Sequence, residues 1–135
     1  MEMKTAFAFR SSKFPPYEGE EDQINPGLWG KRLAEYFQEK LRAEGFETRE
    51  LIPEDWGWIV PVKNRRFSMW IGCGHQMEED IDFLCFVEPH RSRVFRWFWL
   101  FDTTADVTRL MDAVKRILSR DPDITDVRWG SPDEL

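Results

Sequence analysis

The chain is poor in the residues that bind metals and carry nucleophilic chemistry: two cysteines and two histidines are all it has in 135 residues. Two cysteines in a chain of this length do not make a disulfide framework, so the fold is expected to rest on its core. Long apolar runs are also missing. The longest, Trp97 to Phe101, is the length of one strand, far short of the roughly 20 residues a membrane span needs. The opening stretch MEMKTAFAFRSSKF is charged at Glu2, Lys4 and Arg10 and lacks the apolar block of a signal peptide. A cytoplasmic protein with reduced thiols and no membrane partner is the expectation. Positive charge is in deficit too. The 19 Lys and Arg against 25 Asp and Glu leave a net charge of -6 and a pI of about 5.0. Phosphate contacts need a basic face, so no nucleic-acid partner is expected. An acidic surface instead suits a basic protein partner.

Aromatic residues are plentiful, with 7 Trp and 11 Phe in a chain that is 41% hydrophobic and 33% charged. Those totals describe an ordinary folded protein, read as a single domain over residues 1–135. No internal repeat or low-complexity segment interrupts it.

Periodicity predicts the elements. Residues 3–10 alternate, with Met3, Thr5, Phe7 and Phe9 on one face of a strand. Residues 11–27 are rich in Pro, Gly and acids and read as a long loop. Leu28, Trp29, Leu33, Tyr36, Phe37 and Leu41 then recur at helical spacing, with Asn25 as the expected cap, Pro26 in the first turn and Gly45 at the end. Strands are predicted at 46–52, 58–62, 67–75, 81–87 and 94–101. A second helix is capped by Thr103 or Thr104 and closed by Asp121-Pro122, and a last strand covers 124–129. The order β-α-β-β-β-β-β-α-β has too few helices to cover both faces of one sheet. The fold class expected is therefore α+β, a two-layer sandwich with a mainly antiparallel sheet of about 6–7 strands and two helices on one face.

Period-2 arithmetic then divides the aromatics. Met69, Ile71, Cys73 and His75 share one face of their strand, and Trp70, Gly72 and Gly74 take the other. Ile81, Phe83, Cys85 and Val87 match the first set, while Asp82, Leu84, Phe86 and Glu88 match the second. In 94–101, Phe95, Trp97, Trp99 and Phe101 line one face, and Val94, Arg96, Phe98 and Leu100 the other, neither polar enough for a plain solvent face. A sheet apolar on both sides, with helices for only one, presents a surface that usually marks a partner or a ligand.

The chemistry-bearing residues have plain packing or surface explanations. Cys73, His75, Cys85 and His90 lie close in sequence but lack the tight knuckle spacing of a zinc site, and two buried core thiols explain the cysteines. Cys73 beside His75, with Asp82 or Glu79 as an orienting acid, is a two-residue coincidence expected often in sheets. The acid runs Glu20-Glu21-Asp22, Glu54-Asp55 and Glu78-Glu79-Asp80 read as solvated surface. No glycine-rich phosphate loop is present. No catalytic residue, metal or cofactor is assigned. The stretch Pro53-Glu54-Asp55-Trp56-Gly57-Trp58 reads as a turn delivering Trp56 and Trp58 onto one strand face beside two carboxylates.

Leu28-Trp29-Gly30, Gly45-Phe46-Glu47 and residues 53–58 together resemble a group of small uncharacterised bacterial proteins, over roughly residues 27 to 60 of this chain. The resemblance implies a bacterial origin and carries no activity. In size, charge and α+β pattern the chain is also similar to immunity proteins that neutralise toxins. A non-enzymatic protein-binding module is the expected function, with Trp56, Trp58, Trp70, Trp97, Trp99, Glu54 and Asp55 as binding residues. The alternative is a small-molecule-binding or catalytic domain whose pocket is lined by Trp56, Trp58, Trp70 and acids. The third possibility is a homodimer with the aromatic face as its interface.

Overall fold

A computed structural model describes residues 3–76, 79–96, 98–131 and 134–135. Its main sheet has six strands in the order β2-β3-β4-β5-β1-β8, and every neighbouring pair is antiparallel. These are β1 (Ala6–Arg10), β2 (Ile52–Glu54), β3 (Gly57–Val62), β4 (Met69–His75), β5 (Asp82–Glu88) and β8 (Thr125–Gly130). A separate hairpin is made by β6 (Arg93–Arg96) and β7 (Trp99–Asp102). The helices are α1 (Glu20–Gln23), α2 (Lys31–Ala43) and α3 (Thr104–Arg120). The α+β class and the six-stranded, mainly antiparallel sheet follow the expectation from periodicity.

Helices α2 and α3 lie side by side on one face of the sheet, running in opposite directions. Tyr36 meets Asp121 toward one end, Arg116 meets Glu44 further along, and Arg109 stacks over Phe46 at the other end. Their buried stripes, Leu33, Phe37 and Leu41 on α2 and Val107, Leu110, Val114 and Leu118 on α3, pack on Phe7, Phe9, Val60, Ile71, Phe83 and Val87. Each such side chain contributes about 1.5–3 kcal/mol by leaving water. Gly45 ends α2 at φ 92°, which lets Phe46 N–H reach back to Leu41 O at 3.0 Å and satisfy an orphan carbonyl.

Three boundaries differ from the sequence reading, each for a local reason. Helix α2 begins at Lys31 rather than at Pro26. Asn25 does not cap it, because its side-chain amide donates to Asp55 O at 2.7 Å while Asn25 and Leu28 close a tight bridge around Gly27. The expected strand 46–52 is interrupted. Glu47 to Arg49 bond to Pro61 and Lys63, and regular pairing resumes only at Ile52. The expected strand 94–101 is two short strands folded back on each other, with Phe98 at φ 67° in the bend. A third, short helix, α1, also forms inside the stretch predicted as loop.

Candidate functional site

Residues 52–62 form a tight hairpin. Glu54 pairs with Gly57 across it, and Asp55 and Trp56 make the turn. Gly57 sits at φ 155°, and a Cβ there would lie 2.2 Å from the Cys73 carbonyl oxygen, so only glycine fits. The turn breaks the strand period, and with it the expectation that Trp56 and Trp58 share a face. Trp58 is buried on the helix side, opposite Cys73 in register. Trp56 is half-buried on the other side, its ring 5.0 Å from Phe86. The two tryptophans of the motif therefore cannot wall one pocket.

Trp58 also reveals a residue that the sequence reading placed wrongly. Its indole N–H donates to Glu20 Oε2 at 3.0 Å, and the same oxygen accepts from Gly30 N–H at 2.8 Å and Lys31 N–H at 2.9 Å. Tyr17 N–H donates to the other oxygen at 3.0 Å. Glu20 is buried, not solvated. Its carboxylate caps the first turn of α2 from ten residues upstream, where both orphan N–H groups and the helix dipole favour negative charge. The pattern that could have revealed it is Gly30 at the start of α2, which has no side chain able to cap its own helix.

The sheet face away from the helices carries Trp56, Ile59, Pro61, Trp70, Leu84 and Phe86, all half-buried. Register places them together. Ile59 lies opposite Gly72, Pro61 opposite Trp70, and Gly72 opposite Phe86. The Phe86 ring lies over Gly72, where a Cβ would meet it at 2.5 Å, and Trp56 lies over Gly74. Trp70 meets Phe86 edge-on at 5.5 Å. The glycines thus make room for the Phe86 ring and for Trp56 over the backbone, and Trp70 meets Phe86 edge-on, so the three rings form one aromatic cluster on this face. Glu54 and Asp55 stand at one end of this face in the β2–β3 turn. Glu88 stands at the other, with its carboxylate 2.9 Å from His90 Nδ1. At the far edge Glu134 and Leu135 pack over Gly130. No helix of the described residues covers the layer.

The cysteines and His75 are occupied in packing and backbone contacts. Cys73 and Cys85 face each other across β4 and β5, both fully buried, and burial pushes the Cys85 thiol well above its ordinary range. His75 is buried and stacked 3.5 Å from Trp29. Its ring nitrogens lie against Gly27 O at 3.1 Å and Glu79 O at 2.8 Å, leaving neither available to activate Cys73. The clear titration shifts fall on contacts that tie elements together. Burial raises Tyr36, and its hydrogen bond to Asp121 raises it further. At Asp121, burial pushes the carboxyl upward, but hydrogen bonds from Lys13 and Tyr36 and the Asp123 N–H outweigh it, and the net direction is down. Tyr17 is raised first by its hydrogen bond to Glu35. None of these groups lies on the aromatic layer.

Of the remaining predicted site residues, Trp97 lies outside the described residues. Trp99 is 69% exposed on β7, far from the packing role a sheet interior would give it. Phe95 and Leu100 pair across the hairpin and are 71% and 59% exposed, and Phe98 at the bend is 91% exposed. The expected face of Phe95, Trp97, Trp99 and Phe101 does not exist, because the chain reverses between them. Val94 and Phe101, at the base of the hairpin, pack against the core.

A cavity of about 700 Å³ lies between the β3–β4 turn and the start of α3, lined by Lys63, Arg65, Arg66, Asp102, Asp106 and Arg109 among others. Trp58 borders a separate groove of about 410 Å³ with Lys31 and Pro53. Neither groove contains Trp56 or Trp70, so the polar-lined tryptophan pocket of the alternative reading is not assembled there. Comparison with protein-family models, curated proteins and solved structures gives no match for this chain.

Proposed function

We propose that this chain is a non-enzymatic protein-binding module that receives its partner on the aromatic layer of the open sheet face. The observation that carries the reading is the six-stranded sheet itself. One face is covered by α2 and α3, while the other presents Trp56, Trp70, Phe86, Ile59 and Pro61 without a helix over them. Interface cores favour Trp and Phe, which suits this aromatic face to a protein partner. The acidic rim of Glu54, Asp55 and Glu88, in a chain of net charge -6, favours a basic partner. An immunity-like role, masking a basic toxin in the cytoplasm, is the concrete form of this proposal. Two buried, unpaired cysteines suit a reducing compartment.

The test is calorimetric titration with a panel of basic proteins, including the product of any neighbouring gene that encodes one. Trp70→Asp should weaken that binding about a hundredfold or more, as loss of a central aromatic anchor does, and leave the fold intact. Tight binding that survives both Trp70→Asp and Trp56→Ala would remove the open face from the interface and end the proposal.

A further inference from the structure

We propose that two copies of this chain associate edge to edge through β7, joining their hairpins into one four-stranded antiparallel ribbon. This inference concerns a different surface from the open sheet face and stands independently of the function proposed above.

A two-stranded hairpin is marginal by itself and normally needs a third strand or a packed face. The β6–β7 ribbon pairs with no other strand among the described residues. Its base is secured by Val94, Phe101 and the Thr103 N–H bond to Ser92 O at 2.9 Å. Beyond that base, Phe95, Phe98, Trp99 and Leu100 stand in water at 59–91% exposure. Pairing along β7 would bring Trp99, Leu100 and the adjoining Phe98 of one copy against those of the other and add backbone hydrogen bonds along the new edge, while Phe95 stays on the outer strand β6.

Charge chooses the edge and the occupant. Along β6 the chain carries Arg93, preceded by Arg91, so pairing two β6 edges would bring like charges together. The β7 edge is Trp99-Leu100-Phe101-Asp102, with one charge at its end that already lies opposite Arg93 within its own hairpin. A two-fold axis through β7 brings apolar residue to apolar residue and repeats the same contact in both copies, which closes the assembly at a dimer.

The test is sedimentation of the whole chain over a concentration series. The wild type is expected to show a monomer–dimer equilibrium, its mass rising from 16.2 kDa toward twice that value. Leu100→Lys places a charge on the edge at an exposed site, so the monomer fold is retained by circular dichroism while the dimer dissociation constant rises tenfold or more. Arg91→Glu and 0.5 M NaCl should both leave the dimer intact. A wild type that remains monomeric to several hundred micromolar overturns the proposal. So does a dimer insensitive to Leu100→Lys, or one lost in Trp70→Asp but kept in Leu100→Lys, which would move the interface to the open face. Salt-sensitive adsorption of a monomeric wild type to anionic vesicles, abolished by Arg91→Glu, would assign the hairpin to a membrane surface instead.

Discussion

Replacing Glu20 by alanine is the most discriminating perturbation of the fold that holds the open face in place. The carboxylate accepts four hydrogen bonds, from Tyr17, Gly30, Lys31 and Trp58, and two of these donors are the first N–H groups of α2. Hydrogen bonds to a charged acceptor are each worth about 1.5–3 kcal/mol, and an unsatisfied buried donor costs about 1–3 kcal/mol. The four share one acceptor group and are not additive, so the expected net loss for Glu20→Ala is about 3–5 kcal/mol. A stable domain of this size has about 5–15 kcal/mol in total. Glu20→Gln keeps an acceptor oxygen but turns an amide N–H₂ toward some of the donors, and should cost roughly half as much. Urea unfolding measures both. With a slope of about 1.5–2 kcal/mol per molar, Glu20→Ala should lower the midpoint by about 2 M. The Trp58 indole N–H resonance should shift in both variants. A loss below about 1 kcal/mol for Glu20→Ala would mean that the loop carrying Glu20 does not cap α2, and the reasoning would fail.

Other outcomes follow from the same geometry. Gly57→Ala should destabilise by more than about 3 kcal/mol in urea unfolding, because its Cβ would sit 2.2 Å from the backbone oxygen of Cys73. Gly72→Ala meets only the movable Phe86 ring, and its smaller cost should come with a changed environment for Trp70. Asp121 has a folded pKa below its ordinary value. Its contribution is therefore present above about pH 4 and is lost as pH falls through the folded pKa, and Asp121→Asn should flatten that acid limb of the stability profile. Cys73 and Cys85 should resist a thiol reagent in the folded chain and react together at the rate of global opening, which a stopped assay with and without urea will read.

The parts of the fold legible in the sequence are those where local pattern and tertiary packing agree. In β4 and β5 the alternation is uninterrupted, and Met69, Ile71, Cys73, His75, Phe83, Cys85 and Val87 are buried as their period requires. The second apolar face follows from the same arithmetic. Period failed where the chain turns without the usual turn residues. Nothing in Arg96-Trp97-Phe98-Trp99 resembles the Asn-Gly or Asp-Gly of a tight hairpin, and Phe98 adopts a positive φ that bulky residues rarely take. Trp56 and Trp58 do not share the face that a strand count gives them, because Asp55 and Trp56 form the turn and β3 begins only at Gly57. Glu20 was hidden because a cap supplied from a distant loop has no local signature. It sits in an acid run whose neighbour Asp22 is exposed, and only the fold separates one from the other.

The central claim is that Trp56, Trp70 and Phe86 lie on a face that is open in the isolated chain and covered by a partner. Hydroxyl-radical footprinting read residue by residue tests it most directly. In the free monomer, Trp70, Trp56 and Phe86 should oxidise well above the rates of the buried Trp29 and Trp58, and a bound partner should protect the first three alone. Equal protection of Trp70 and Trp58 in the free chain would show that the face is already covered, and would contradict the account.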